Sequence, residues 1–266
     1  MKNCRISVIM GIYNCADTLE EALDSLMAQT YQGFKVIMCE DGSKDKTFEI
    51  ANNYIKKFPE KFILIKNEKN MGLNYTLNRC LDLVDTEYVA RMDGDDISLP
   101  DRFEKEIDFL DANPEYDIVS SPMIYFDEDG DYKIGRGGGK VIVNKDFLKG
   151  SPFCHAPCMV RTKAYQDVGG YSISQKLLGV EDYHLWFKMY SKGYKGYVLQ
   201  EPLYKMRDDE NAAKRRSFKR YMRVHYVMIT GFKMLKISKL YYIYSFRPII
   251  TALTPKFIYN YYHKKK

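Results

Sequence analysis

The run Met92-Asp93-Gly94-Asp95-Asp96 sets three carboxylates directly after the apolar stretch Tyr88-Val89-Ala90. Carboxylates this close repel one another and raise one another's pKa values, so a site that keeps them ionised supplies a cation. Hard oxygen ligands suit Mg2+ or Mn2+, which often bridge protein carboxylates to substrate phosphates. The same composition also describes a solvated acidic turn, since Asp and Gly are ordinary turn residues. A second acidic pair lies in Gly179-Val180-Glu181-Asp182-Tyr183-His184-Leu185-Trp186. Acids decorate many first helical turns, where the helix dipole favours them, and a positioned carboxylate can also take a proton from a reacting hydroxyl.

The elements around these residues form a pattern. Ile6-Ser7-Val8-Ile9-Met10 is an apolar run of strand length, broken by Gly11-Ile12-Tyr13-Asn14. A helix follows, with Asp17 as its expected cap, Glu20 in its first turn, and Leu19, Ala22, Leu23, Leu26 and Met27 along one face. Phe34 to Cys39 reads as a second strand running into Glu40-Asp41-Gly42-Ser43, and 45–57 as a second helix. Phe62 to Ile65 is a third strand, and after the loop 67–72 the residues Leu73, Leu77, Leu81 and Val84 mark a third helix leading to Tyr88. Regular alternation of strand and helix predicts a parallel sheet with helices on both faces. Ligands of such sheets bind beyond the carboxyl ends of the strands, where Gly11 to Asn14, Glu40 to Ser43 and Asp93 to Asp96 all fall.

Four segments taken in order, Ser7 to Asn14, Glu40 to Thr47, Asn70-Met71-Gly72-Leu73 and Asp93 to Asp96, resemble the successive signatures of family 2 inverting glycosyltransferases, over about residues 5–205. The resemblance implies an α/β GT-A fold, with a mainly parallel central sheet and flanking helices, and a nucleotide-activated sugar as donor. It implies that Asp41, with Tyr13 and Asn14, holds the base and ribose, and that Asn70 and Gly72 shape the pocket wall. Asp93 and Asp95 match the family's Asp-any-Asp pattern, which holds a divalent metal, Mn2+ or Mg2+, together with the donor ribose and diphosphate. Asp96 either assists them or caps the next helix. Glu181-Asp182 looks like the family's acidic pair, so one carboxylate, Asp182 with Glu181 as substitute, would deprotonate an acceptor hydroxyl as it attacks the anomeric carbon. Direct attack implies inversion without an enzyme nucleophile.

His155, in Ser151-Pro152-Phe153-Cys154-His155-Ala156-Pro157, stands where relatives acting on bacterial polysaccharides often carry His-Pro, which suggests an acceptor or phosphate contact as well as a packed histidine. Relatives frequently carry a His shortly after a Tyr-Arg pair near the end of this domain. The corresponding Tyr204-Lys205-Met206-Arg207-Asp208-Asp209 has none, leaving Arg207, Arg215 and Arg216 as phosphate contacts and the third metal ligand open. A sugar nucleotidyltransferase would share nucleotide and metal, but its glycine-rich, Arg-containing phosphate loop is missing from Gly11-Ile12-Tyr13-Asn14. A non-catalytic sugar-nucleotide or membrane-binding module is the remaining alternative.

Charge divides the chain at residue 210. Residues 211–266 hold 14 Lys or Arg and no Asp or Glu, against 27 basic and 35 acidic residues in 1–210. We read 1–210 as the catalytic domain and 211–266 as a helical, basic, aromatic region cut into short pieces by Pro248 and Pro255. Basic residues interleaved with aromatics suit nucleic acid or anionic lipid headgroups, and the membrane is preferred. No unbroken apolar stretch long enough to span a bilayer occurs, so Phe232 to Leu240 and Tyr241 to Tyr262 are expected to lie in the interface, with Tyr rings at headgroup depth. The start Met1-Lys2-Asn3-Cys4 carries no secretory pattern, and the six cysteines are scattered without a close Cys-x-x-Cys pair. The expected setting is cytoplasmic, with reduced thiols, at the inner membrane face. The expected donor is a UDP-sugar and the acceptor a saccharide, lipid-linked, for a bacterial surface polysaccharide, with no nucleic-acid partner.

Overall fold

Strand β1 (Ile6–Ile12) reads as a continuous apolar run because it is covered on both faces. Its neighbours are β2 (Phe34–Glu40), parallel on one side, and β4 (Tyr88–Arg91), parallel on the other, with β3 (Phe62–Lys66) parallel beyond β2. The computed structural model describes residues 4–135, 138–208 and 217–253. Helices α1 (Leu19–Met27), α2 (Thr47–Lys57) and α3 (Leu73–Leu81) connect these strands, as the alternation predicts.

The second half of the sheet is mixed. Strands β6 (Ile118–Ser120), β9 (Lys140–Ile142), β10 (Met159–Arg161) and β11 (Gly196–Val198) complete eight strands in the order β3-β2-β1-β4-β10-β6-β11-β9, with β10 antiparallel to both β4 and β6. A separate four-stranded sheet runs β5-β12-β7-β8, from β5 (Ile97–Ser98), β7 (Met123–Asp127), β8 (Gly130–Ile134) and β12 (Tyr204–Arg207). Its β7–β8 arm is an antiparallel hairpin.

The period-two alternation of β1 divides the core. Val8, Met10 and Ile12 face a layer holding Leu19, Leu23 and Leu26 of α1, Tyr54 of α2, and Phe103, Ile107 and Leu110 of α4 (Arg102–Ala112). Ile9 faces the opposite layer, built from Leu77 of α3, Tyr165 of α5 (Thr162–Val168), Leu185, Trp186 and Phe187 of α6 (Glu181–Ser191), and Phe232 of α7 (Phe218–Met234). At Gly231 a Cβ would lie 2.2 Å from the Phe187 ring, so only glycine lets α7 press this closely on α6. Helix α8 (Arg247–Leu253) follows a 3-10 helix over Lys239–Phe246, and Pro248 stands in its first turn, where a missing N–H costs nothing.

Two local expectations are corrected. Asp17 does not cap α1, since Thr18 holds that position without a side-chain cap, and the Cys15 carbonyl already accepts from the N–H groups of Thr18 and Leu19 at 3.1 and 2.9 Å. The second helix starts at Thr47 rather than at 45, because the Asp45 carboxylate is divided between the N–H of Ala16 and the N–H of Thr47, each at 3.0 Å.

Beneath the acidic loop lies a fully buried ion pair, Arg102 Nε to Glu106 at 3.2 Å, whose guanidinium also donates to the carbonyls of Arg91 (3.0 Å), Ala156 (3.3 Å) and Cys158 (3.3 Å). It therefore ties the end of β4 to β10. Removing one member of such a pair strands a charge in the core, so Glu106→Leu is expected to lower unfolding stability by about 3–5 kcal/mol, read by urea denaturation.

Candidate active site

The register of the parallel strands brings the predicted residues together. Ile12 pairs with Glu40 and Ile9 with Arg91, so β1, β2 and β4 end along one edge. Asn14 leaves β1 with a left-handed φ of 47°, a conformation Asn tolerates. Its Oδ1 accepts from the N–H of Lys44 at 2.9 Å, and its own N–H donates to Ser43 Oγ at 3.1 Å, which zips the 13–16 loop to the 43–47 loop.

Asp41 is buried and organises the neighbouring loop. Its Oδ1 accepts from Asn67 Nδ2 (2.7 Å) and the N–H of Met71 (2.8 Å), and its Oδ2 accepts from the N–H of Gly72 (2.9 Å). Asn70 is exposed, and its backbone nitrogen would meet a Cβ on Gly42 at 2.8 Å, which together with φ +74° explains the glycine there.

The three acids of the opening motif converge, with ligand oxygens of Asp93, Asp95 and Asp96 all within 4.8 Å of one another. Asp93 is clamped by the buried Arg91 through both guanidinium nitrogens, at 2.6 and 2.8 Å. Asp96 caps no helix, since Asp101 holds the N-cap position of α4. Its Oδ1 instead accepts from the N–H of Arg207 at 2.9 Å, and burial first, then repulsion from Asp93 and Asp95, pushes its pKa well above the ordinary carboxylate value. Thr18 Oγ1 donates to the Gly94 carbonyl (2.9 Å) and Arg207 Nε to the Asp95 carbonyl (3.0 Å), so α1 and β12 hold the loop from both sides. Arg207 also pairs with Glu21 and lies over the Phe126 ring at 4.5 Å.

A cavity of about 410 Å3 opens above this loop, lined by Gly11, Tyr13, Asn14, Cys15, Asp17, Thr18, Asp93, Gly94, Asp95 and Arg207. Three carboxylate donors, one of them raised in pKa by burial and then by the other two, form a donor set that fits a hard divalent cation such as Mn2+ or Mg2+.

Glu181 and Asp182 begin α6, with Leu185, Trp186 and Met189 buried beneath them as the helical spacing predicts. Glu181 Oε2 accepts from the N–H of Gly179 at 2.7 Å. Burial raises the pKa of both acids, reinforced at Glu181 by Asp182 and opposed at each by the positive charge of Arg91. Arg91 thus acts electrostatically on the acidic pair while it grips the three-acid loop. His155 lies in the same field: its Nε2 is 2.8 Å from Tyr171 Oη, its ring packs edge-on to Tyr171 and Trp186, and burial followed by Arg91 drives its pKa well down, leaving it neutral. Arg215 and Arg216 lie outside the described residues.

Arg91, Thr18, Asn67 and Tyr204 escaped the sequence reading, although Tyr204 Oη accepts from the N–H of Asp93 at 3.2 Å. An arginine closing an otherwise apolar strand was the one signal available, since a charge in a strand buried on both faces requires a partner.

The family model described as glycosyl transferase family 2 matches residues 7–169. The chain is 38% identical over 266 residues to EpsE of Bacillus subtilis (strain 168), named as a glycosyltransferase, covering 98% of this chain and 94% of the relative. It is 34% identical over 231 residues to the UDP-Gal:alpha-D-GlcNAc-diphosphoundecaprenol beta-1,3-galactosyltransferase of Escherichia coli, covering 82% and 79%. In structure it resembles mannosyltransferase PcManGT from Pyrobaculum calidifontis in complex with GDP-Man and Mn2+, with a TM-score of 0.67, 17% identity and coverage of 93% of this chain and 74% of the other.

Changes to groups around a bound metal already cost about 10- to 100-fold in affinity, so loss of a direct oxygen ligand is expected to cost at least as much. Titrating Mn2+ into Asp95→Asn by calorimetry should show about a hundredfold weaker binding than in the unsubstituted chain, at unchanged thermal stability.

Proposed function

The chain belongs to glycosyl transferase family 2, and from that premise we propose that it moves a sugar from a UDP-sugar to a hydroxyl of a lipid-linked saccharide, with inversion, in bacterial surface polysaccharide synthesis. The observation that carries this reading is the pairing of an acid-lined cavity with a second, separately raised acidic pair, both within reach of Arg91. The diphosphoundecaprenol acceptor of the Escherichia coli relative supports the acceptor class, and its UDP-Gal donor supports the nucleotide.

Roles follow from position. Tyr13, exposed at the cavity wall, is offered to the nucleoside, and Asp41 holds the 70–72 loop on the donor's far side while keeping acceptor capacity at Oδ2. Asp93 and Asp95, with Asp96 as the third carboxylate, would hold Mn2+ or Mg2+, which when bound supplies positive charge against the leaving diphosphate. The lining residue Arg207 is the phosphate contact from the protein side. Asp182, or Glu181 in its place, takes the acceptor hydroxyl's proton, and burial suits it to that task by raising its proton affinity. Arg91 opposes that rise by favouring the ionised form.

Residues 211–266 are assigned to the inner membrane face of a cytoplasmic enzyme. Their charge supports this, and among the described residues no helix is long and apolar enough to cross a membrane.

Two outcomes test the assignment. Asp182→Asn should lower turnover by about 100- to 10,000-fold while UDP-sugar binding stays within a few-fold, as measured by single-turnover kinetics and calorimetry. Equal loss of both would remove Asp182 from the base role. The base works ionised and its pKa is raised, so kcat/KM should fall on acidification with a midpoint above the ordinary aspartate value of 3.8. A pH–rate profile reads it directly.

A further inference from the structure

Beyond the packed part of α7, the chain turns into the 3-10 helix over Lys239–Phe246. That helix has three residues per turn, so side chains at i and i+3 stand directly above one another. Leu240, Ile243 and Phe246 follow this spacing, and Ile250 and Leu253 continue the line along α8 at helical intervals. All five face outward, at 85%, 71%, 50%, 65% and 70% exposure. The opposite side is closed: Ser245 is fully buried, its carbonyl is 2.7 Å from His225 Nδ1 of α7, and the Tyr242 ring packs edge-on to Phe232 at 5.6 Å. A row of exposed Leu, Ile and Phe on a well-packed base marks an interaction surface rather than scattered apolar residues.

The charge around the row identifies its partner. Lys236, Lys239 and Arg247 flank it and are exposed, and residues 217–253 hold seven Lys or Arg and no Asp or Glu. A second copy meeting this face about a two-fold axis would set cations against cations with no acid to offset them. An anionic lipid leaflet satisfies both features, taking the apolar row below the headgroups and the lysines at their level.

We propose that the edge formed by Leu240, Ile243, Phe246, Ile250 and Leu253 is the wedge this protein inserts into an anionic lipid monolayer. This rests on the membrane reading above and specifies how contact is made. The wedge is rigidly joined to the chemistry. Helix α7 packs on α6 through Gly231 and Phe187, and its Arg220 and Arg223 donate to the carbonyls of Gly179 (3.4 Å) and Leu178 (3.0 Å), just before Glu181 and Asp182. Insertion therefore sets the height of the acidic pair above the lipid, where the saccharide end of a lipid-linked acceptor would present its hydroxyl.

The test is co-flotation of the full chain with vesicles of phosphatidylcholine alone or with phosphatidylglycerol. Binding is expected with the anionic vesicles only. Ile243→Asp/Ile250→Asp should weaken it by about a hundredfold or more, since each buried aliphatic side chain contributes roughly ten- to a hundredfold to partitioning. Leu83→Asp, at an exposed leucine that is not part of the row, should leave it unchanged. Trp186 is the chain's only tryptophan and is fully buried, so in Leu240→Trp the added fluorescence should be quenched by brominated acyl chains while that of Trp186 is not. Wild-type flotation by the double variant, or an unquenched Trp at 240, overturns the wedge. So does a concentration-dependent dimer that the double variant abolishes. UDP-sugar binding by the same preparations separates these results from failure of the catalytic reading, because the double variant should bind donor as the unsubstituted chain does.

Discussion

Arg91 and Asp93 share two hydrogen bonds at the end of a strand that is otherwise apolar and covered on both faces. Five carboxylates lie in two groups near Arg91, Asp93, Asp95 and Asp96 in the loop after β4 and Glu181 and Asp182 at the start of α6. Arg91 meets the first group by direct contact and the second through its field. Its own burial is made possible by Asp93 on one side and, through its backbone carbonyl, by Arg102 beneath. A charge placed this deep costs several kcal/mol unless paired, so the acidic loop and the arginine stabilise each other's position.

The acidic loop is also held mechanically. Thr18 reaches it from α1, and Tyr204 and Arg207 reach it from β12, whose strand pairs with β5 immediately after the loop. Each of these contacts uses a backbone group of the loop, so the carboxylates of Asp93, Asp95 and Asp96 are positioned through the chain that carries them. Preorganised oxygen donors of this kind keep their geometry when a cation arrives, which limits the ordering cost of binding. The second, four-stranded sheet therefore closes the site from outside the central sheet.

Helix α7 of the basic C-terminal region is part of the same packing. Val227, Met228 and Phe232 of α7 enter the layer that contains Trp186 and Phe187 of α6, the helix opened by Glu181 and Asp182. A cationic, outward-facing surface is thereby set at a defined place relative to the acidic edge.

The alternation of β1 through β4 with three helices was legible because each strand is a short apolar run and each helix repeats its apolar residues at helical spacing. The convergence of Asp93, Asp95 and Asp96 followed from their adjacency in sequence, and the residues aligned at strand ends followed from parallel topology alone. The antiparallel insertion of β10 and the separate β5-β12-β7-β8 sheet were not legible, since short strands of two to five residues carry almost no periodic signal. Nor could spacing show that Asp41 is spent largely on backbone N–H groups, or that His155 is packed and neutral. By itself the sequence determined which acids exist and on which elements they ride, because local periodicity and turn chemistry act over a few residues. Only the tertiary structure decided that one buried arginine serves two acidic groups some ninety positions apart, because its energy depends on burial and on neighbours that no local pattern encodes.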